Sequence, residues 1–97
     1  MSSKSYATIT SDLTKGISAL RKEIPDTLAG FSAMHNGAMK AGALSEIEKE
    51  LLALAIGIAS HCDGCIGFHL KALIRLGATR EQIMETLGVC VFCNSPA

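Results

Sequence analysis

The sequence predicts an all-α protein of about five helices. Apolar residues recur at helical spacing along most of the chain, and no segment shows the alternation of a strand between turn signals. Two Ser/Thr-x-x-Glu/Gln patterns are typical of helix starts. The 97 residues suffice for one domain and are too few for two. We therefore expect a single domain over residues 1–97.

The first two helices are expected on either side of Pro25. Residues 1–9 are rich in Ser and Thr and should be frayed. From Ser11 a first helix is indicated by apolar residues at helical spacing, namely Leu13, Ile17, Leu20 and Ile24. Pro25 and Asp26 suit either a turn or a helix start, and a second helix that ends near Gly42 is then indicated by apolar positions at Leu28, Phe31, Met34 and Ala38.

The remaining helices are predicted from their start and stop signals. Ser45 with Glu48 forms a capping box for the third helix, and Thr79 with Gln82 forms one for the fifth, which Pro96 should close. The fourth helix follows a break near residues 60–61 and should end at the glycine at position 77. The side chains expected to face inward are Ile47, Leu51, Leu54, Ala55, Ile58, Leu70, Leu73, Ile74, Leu76, Ile83, Met84, Leu87, Val91 and Phe92.

The composition is unusually apolar for so short a chain. Hydrophobic residues make up 48% of it, and the mean hydropathy is +0.33. The later half of the third helix, residues 51–59, is apolar on almost every side, so it should lie at the centre of the fold or of an interface. One small globule buries too little surface for this composition, and we expect a homo-oligomer.

Charge and termini exclude several classes of protein. Nine basic and nine acidic residues cancel without forming a basic stripe, which argues against nucleic-acid binding. The first ten residues lack the apolar core of a signal peptide, and the longest apolar run is too short to span a bilayer, so no membrane association is expected. Four cysteines without an export signal indicate a reducing, cytoplasmic location.

Reactive side chains are concentrated at residues 61–69, with the sequence HCDGCIGFH. Cys62, Cys65 and His69 are spaced by three and four residues, which puts them on one face of a helix. An ordinary thiol has a pKa of about 8.5, and both the helix N-terminus and a nearby histidine can lower it. A thiolate here could attack a peroxide oxygen or a disulfide sulfur, and the second cysteine could then close a Cys62–Cys65 disulfide. The alternative is two inert buried cysteines and a core histidine.

Glu50 precedes Cys62 by twelve residues, at the border of the apolar face of the third helix. A partly desolvated carboxylate at that border would suit proton transfer. Periodicity alone nevertheless favours a surface glutamate, because other charged residues surround it: Glu46, Glu48 and Lys49.

Three segments in matching order and spacing carry a family resemblance: SEIEKELLALA, HCDGCIGFH and LGATREQIMETLGV. Residues 45–89 resemble the core of the alkylhydroperoxidase D-like, carboxymuconolactone decarboxylase superfamily. The Cys-x-x-Cys-x-x-x-His element is that of its thiol-active branch. The resemblance implies an all-helical fold, a trimer or hexamer, and the reduction of peroxides through the cysteine pair.

Carried over by position, the resemblance gives four residues unequal roles. Cys65 resembles the peroxide-reacting cysteine and Cys62 the resolving one, while Glu50 and His69 resemble the proton-relay pair. Gly64 departs from alkylhydroperoxidase D, which has a histidine between the cysteines, so peroxide turnover should be weaker or absent. The decarboxylase branch lacks the cysteine pair, which makes lactone decarboxylation the less favoured activity.

A second Cys-x-x-Cys, Cys90 and Cys93, is not explained by the resemblance. Two such pairs raise the alternative of a structural zinc site with four thiolates. Against this reading, the stretch between the pairs is longer than in a zinc ribbon and is predicted to be helical. Small buried cysteines on an apolar helix are also common.

The sequence therefore predicts a thiol peroxidase with a site walled by Leu and Ile and no metal or organic cofactor. Its substrate would be a small hydroperoxide, and a protein dithiol would restore the reduced cysteine pair. A disulfide reductase or redox sensor without peroxide turnover is the principal alternative. A non-enzymatic helical assembly protein with inert thiols is a third.

Overall fold

Five α-helices form most of residues 3–94, the part of the chain that the computed structural model describes. Their bounds are α1 Tyr6–Glu23, α2 Pro25–Met39, α3 Glu46–Ala59, α4 Asp63–Leu76 and α5 Arg80–Asn94. No strand occurs between residues 3 and 94, so the all-α prediction is confirmed. Pro96, expected to close the last helix, lies outside the described residues.

Helix α1 begins earlier than the sequence predicts. Within the segment expected to be frayed, the helix already starts at Tyr6. Ser5 acts as its N-cap, because the Ser5 hydroxyl accepts a hydrogen bond of 3.2 Å from the Thr8 N–H. Ile24 is both the C-cap of α1 and the N-cap of α2, and Pro25 takes the first position of α2.

Both predicted capping boxes are present. The Ser45 N–H donates to a Glu48 carboxylate oxygen at 2.8 Å, and the Glu48 N–H donates to the Ser45 hydroxyl at 3.0 Å. Thr79 and Gln82 make the same reciprocal pair at the start of α5, at 2.8 and 3.1 Å. Gly77 ends α4 in the left-handed conformation, with a φ of 82°, as the stop signal predicts.

Helix α3 lies at the centre of the fold, as its apolar composition predicts. It packs against α4 and α5 and touches α2, whereas α1 packs on α4 and α2. Leu54 of α3 and Leu73 of α4 are the most deeply buried apolar side chains, at 1% and 0% exposure. Leu28 and Cys90 complete the small apolar core among the described residues.

Many apolar side chains predicted to face inward are exposed in the single chain. The prediction is wrong for Ile74, Met84, Val91 and Phe92, which are 72%, 44%, 69% and 82% exposed. The reason is that α5 packs on α3 but makes no contact with α4, so the outer faces of these helices have no neighbour within the described chain. The other large exposed apolar residues are Leu13, Ile17, Leu20, Ile24, Phe31, Met34, Leu44, Leu52, Ile56 and Val89.

The exposed area is correspondingly large. The chain exposes 7042 Å², whereas a compact monomer of its mass exposes about 5,300 Å². Its radius of gyration is 14.8 Å, against about 12.5 Å expected for a compact domain of this length.

Candidate active site

The turn between α3 and α4 sets the position of the first cysteine pair. His61 has a φ of 55°, a left-handed conformation that reverses the chain after α3. The Cys62 N–H then donates to the Gly57 carbonyl at 3.0 Å, which ties the start of α4 to the end of α3. Cys62 is the N-cap of α4. The turn at the predicted break near residues 60–61 therefore positions the cysteines at the start of α4.

Cys62 and Cys65 face each other in the first turn of α4. Their sulfur atoms are 2.6 Å apart, both thiols are free, and both residues are half-buried. The Cys62 sulfur also accepts a hydrogen bond of 3.3 Å from the Cys65 backbone N–H. The helix spacing predicted from the sequence thus brings the two thiols into direct contact.

The two thiols differ in acidity. A hydrogen bond from the Cys65 thiol, together with the backbone N–H groups of Cys65 and Gly64, lowers the pKa of Cys62 below that of an ordinary thiol. The same thiol–thiol hydrogen bond, with burial, raises the pKa of Cys65. Because N–H donors at a helix start favour an anion, Cys62 is the cysteine of the pair that loses its proton more readily.

Glu50 and His69 form a buried hydrogen-bonded pair. The His69 Nδ1 and a Glu50 carboxylate oxygen are 2.7 Å apart, and the Glu50 side chain is only 8% exposed. His69 lies one turn after Cys65 on α4, and the packing of α3 on α4 brings Glu50 to it. The surface position that periodicity favours for Glu50 is therefore wrong.

The true buried stripe of α3 explains this error. Its fully buried residues are Glu50, Leu54 and Gly57, at offsets of zero, four and seven. Leu51 and Ile58, which the sequence analysis placed inward, are only half-buried. In the sequence, Gly57 could have indicated which face of α3 is buried, because a glycine inside an apolar helix often marks a close approach of another backbone.

Gly57 permits the contact between α3 and the cysteine turn. A Cβ atom added at Gly57 would lie 2.9 Å from the Cβ of Cys65. Real Cβ atoms do not approach so closely, so any side chain at this position would push α3 away from α4. The glycine thereby fixes the distance between the helix of Glu50 and the helix of the cysteines.

Helix α1 covers the other side of the cysteine turn. A Cβ atom added at Gly64 would lie 2.6 Å from a methyl group of Leu13, and one added at Gly67 would lie 2.5 Å from the Thr10 methyl. Thr10 is fully buried, and its hydroxyl donates to the Tyr6 carbonyl at 2.9 Å. The sequence analysis did not include α1 in the site.

A cleft of about 310 Å³ adjoins Glu50. Its lining is His35, Asn36, Met39, Lys40, Glu46, Glu50, Arg75 and Leu76. Glu50 therefore contacts His69 of α4 and also faces a cleft of mixed polar and apolar surface between α2, α3 and the end of α4. The cysteines do not line this cleft, and the wall of Leu and Ile around them stays a prediction.

The second cysteine pair lies apart from the first. Cys90 is buried and Cys93 is exposed, both as free thiols on α5. Since α4 and α5 make no contact, the two pairs do not meet in the chain as described. Among residues 3–94 no group of three or more His, Cys, Asp or Glu side chains could hold a metal ion.

Comparison with known proteins identifies the family. The model of the carboxymuconolactone decarboxylase family matches residues 25–97. This chain belongs to that family.

A member of the carboxymuconolactone decarboxylase family from Legionella pneumophila, solved in its apo form, has the same fold. The similarity covers 94% of this chain and 81% of the Legionella chain, with 44% identity and a TM-score of 0.91. Helix α1 therefore falls within the structural match, although it lies outside the family model.

Three bacterial proteins, each described only as uncharacterized, are similar in sequence. One from Cupriavidus necator is 32% identical over 80% of this chain and 69% of its own length. One encoded in the cox locus of Paracoccus denitrificans is 41% identical over 61% of this chain. One from Haemophilus influenzae is 31% identical over 64% of this chain. The chain spans about half the length of the latter two relatives, 53% and 55%.

None of the helices within residues 3–94 combines the length and the apolar character needed to cross a bilayer.

Proposed function

We propose that the protein is a thiol-dependent peroxidase that reduces small hydroperoxides through Cys62 and Cys65. The observation that carries the proposal is the 2.6 Å contact between the two sulfur atoms at the start of α4. Contact at this distance lets one cysteine resolve an oxidised form of the other without rearrangement of the helices. The 2.7 Å pair of His69 and Glu50 supplies a proton-transfer group one helical turn away.

In the first step the Cys65 thiol gives up its proton to the Cys62 thiolate or to His69. The Cys65 thiolate attacks the terminal oxygen of the hydroperoxide, an S–O bond forms, and the O–O bond breaks. The leaving alkoxide takes a proton from the His69–Glu50 pair and departs as an alcohol. Cys65 is left as a sulfenic acid.

In the second step Cys62 attacks the Cys65 sulfur as a thiolate, after the His69–Glu50 pair has removed any proton that Cys62 took from Cys65. The S–S bond forms and the S–O bond breaks, and the hydroxide takes a proton from that pair, which solvent reprotonates, and leaves as water. Two electrons have then passed from the thiols to the peroxide. A protein dithiol returns them in two exchange reactions, with its own cysteines oxidised to a disulfide. The proposed cycle uses no metal and no organic cofactor.

The experiment is rapid mixing of the reduced protein with cumene hydroperoxide, followed by thiol counting and mass spectrometry. The wild type should lose two thiols and form the Cys62–Cys65 disulfide. Cys65→Ser should not react, and Cys62→Ser should stop at a sulfenic acid that dimedone traps. Cys93→Ser is the matched control, because it removes an exposed thiol with the same spacing, and it should behave as the wild type. Equal reaction of wild type and Cys65→Ser would contradict the proposal.

A second candidate is a disulfide reductase that acts through Cys62. The lowered pKa of Cys62 favours it, because the cysteine that forms a thiolate more readily is the better placed nucleophile toward a disulfide. Gly64 also leaves position 64, between the cysteines, without a side chain to handle protons. If disulfide substrates oxidise the pair and hydroperoxides do not, this second function is the correct one.

We also propose that the protein works as a homo-oligomer, a trimer or hexamer, in the cytoplasm. The exposed area of one chain exceeds that of a compact monomer by about 1,700 Å², about twice the area that one partner buries in a standard protein interface. Apolar side chains such as Phe92, Ile74 and Ile56 carry much of it. The four free thiols suit a reducing compartment. Sedimentation at micromolar concentration tests the assembly, and a monomer would contradict it.

A further inference from the structure

Lys4 is bound to the turn that carries the cysteines. Its Nζ lies 2.8 Å from a carboxylate oxygen of Asp63, the residue that follows Cys62 and opens α4. Fifty-nine residues separate the two partners in sequence. This is the only ion pair between lysine or arginine and a carboxylate among the described residues.

Helix α1 holds Lys4 in that place. Lys4 directly precedes Ser5, the N-cap of α1. The helix packs on α4 through Thr10 against Gly67 and Leu13 against Gly64, where an added Cβ atom would lie 2.5 Å and 2.6 Å from these side chains. The position of Lys4 beside Asp63 is therefore set by a helix that packs on α4.

Asp63 has two opposite effects at the start of α4. Its carboxylate interacts favourably with the unsatisfied N–H groups of the first turn. The pKa of Cys62 is lowered mainly by the Cys65 thiol, and the negative charge of Asp63, the next residue in the chain, opposes that lowering to a smaller extent. A cation on Asp63 would offset the second effect.

We propose that Lys4 is a positioning residue of the thiol site, which favours the Cys62 thiolate by neutralising Asp63. The inference deepens the proposed thiol chemistry, but it concerns the acidity of Cys62 and does not require peroxide turnover. The titratable groups around the site are His61, Asp63 and Cys65 beside Cys62, Lys4 and Tyr6 from α1, and the Glu50–His69 pair. Of the α1 side chains, Lys4 is the one with an ion pair to this turn.

The test measures how fast iodoacetamide alkylates Cys62 as a function of pH, with the modified residue identified by mass spectrometry. Lys4→Met keeps most of the aliphatic stem and removes the charge. It should lower the alkylation rate at neutral pH by about twofold, the size of an exposed ion-pair effect, and move the pH profile upward. Asp63→Asn should move the profile downward.

The decisive comparison is Lys4→Met in the Asp63→Asn background. There the lysine has no carboxylate to neutralise, and its removal should leave the profile almost unchanged. Lys15→Met removes another exposed α1 lysine and should have no effect. In 1 M salt, where the Debye length is about 3 Å, the Lys4→Met effect should shrink. Thermal unfolding checks that each variant is folded.

Two results would overturn the proposal. One is an equal shift for Lys4→Met with and without Asp63, because the lysine would then act by another route. The other is an unchanged profile in Lys4→Met. Both can be read whether or not the protein reduces hydroperoxides, so failure of this inference is distinct from failure of the peroxidase assignment.

Discussion

Cys62 and Cys65 at the start of α4 have the same spacing as Cys90 and Cys93 near the end of α5, in very different surroundings. At the start of a helix the unsatisfied backbone groups are N–H donors, and the Cys62 sulfur accepts one of them at 3.3 Å. At the end of a helix the unsatisfied backbone groups are carbonyl groups, which cannot donate a hydrogen bond to a thiolate. There the Asn94 side chain donates to the Cys90 carbonyl at 2.9 Å.

The helices and side chains that surround the two cysteine pairs also differ. Beside the first pair, α3 supplies Glu50 to His69 and approaches closely at Gly57. The second pair has one cysteine against the core and the other in solvent. The lesson is that a Cys-x-x-Cys spacing specifies a chemistry only together with the helix end on which it lies.

The largest expected effect comes from Glu50. Glu50→Gln keeps the shape of the side chain but cannot stabilise a proton on His69, so the reaction of Cys65 with hydroperoxide should slow by about 100-fold or more. The measurement is the stopped-flow rate of thiol loss. Glu46→Gln, one turn earlier on the same helix and exposed, is the matched control and should change the rate by less than about threefold. Equal losses in the two variants would mean that the pair has no special role.

The glycines beside the two cysteine pairs should respond in opposite directions to alanine. Gly57→Ala forces a Cβ against Cys65 and should lower the free energy of unfolding by about 1–3 kcal/mol. Gly88→Ala on α5 meets nothing within 4 Å, and it should raise the stability by about 0.5–1 kcal/mol because alanine favours helix. Denaturant titration measures both. Stabilisation by Gly57→Ala would show that the close contact is easily relieved.

The pH dependence of thiol reactivity separates the pairs further. Because the pKa of Cys62 is lowered, its alkylation should persist below the pH range of an ordinary thiol and be lost as the pH falls through that lowered value. Cys65→Ala removes the thiol that contributes most to the lowered pKa of Cys62, so the pH profile of Cys62 alkylation should move upward. Cys65→Ser keeps an O–H donor and should move the profile less. Cys90→Ala should leave it unchanged, and a shift in that variant would mean the pairs are coupled.

The smallest effect concerns the capping boxes. A backbone N–H bond from Ser45 lowers the pKa of Glu48, so this carboxylate stabilises the fold above its unfolded pKa, and the contribution is lost as the pH falls through the folded value. Glu48→Ala removes the carboxylate that accepts from the Ser45 N–H, so it should destabilise the protein at neutral pH and by less in acid. Gln82→Ala, which removes the uncharged partner of the Thr79 N–H, should cost the same at both pH values. Thermal unfolding at pH 7 and pH 3 distinguishes the two.

The sequence was a good guide wherever the cause is local. Capping boxes at Ser45 and Thr79, the stop at Gly77 and the contact of Cys62 with Cys65 all depend on residues within a few positions of one another. These features are confirmed. The start of α1 was missed because Ser5 lacks the Glu or Gln three residues later that makes a capping box visible.

Features that depend on the arrangement of helices could not be read from periodicity. Glu50 lies at the edge of the apolar face in sequence, and its burial follows from the close approach at Gly57. The pairing of Lys4 with Asp63 joins residues 59 positions apart, so no local pattern encodes it. The resemblance to a family supplied Glu50, but it covered residues 45–89 and gave no information on α1.

Helix α1 has a consequence for how the protein is handled in the laboratory. A fragment cut to the family match, residues 25–97, would retain every cysteine, Glu50 and His69. It would lose Thr10 and Leu13, and the backbone of α4 at Gly64 and Gly67 would be open to water on the side where α1 now lies. Such a truncation would keep the family signature and remove the helix that packs on α4, the helix of the Cys62–Cys65 pair. The fragment of residues 25–97 thus contains the whole family match but lacks α1, which the thiol chemistry is expected to require.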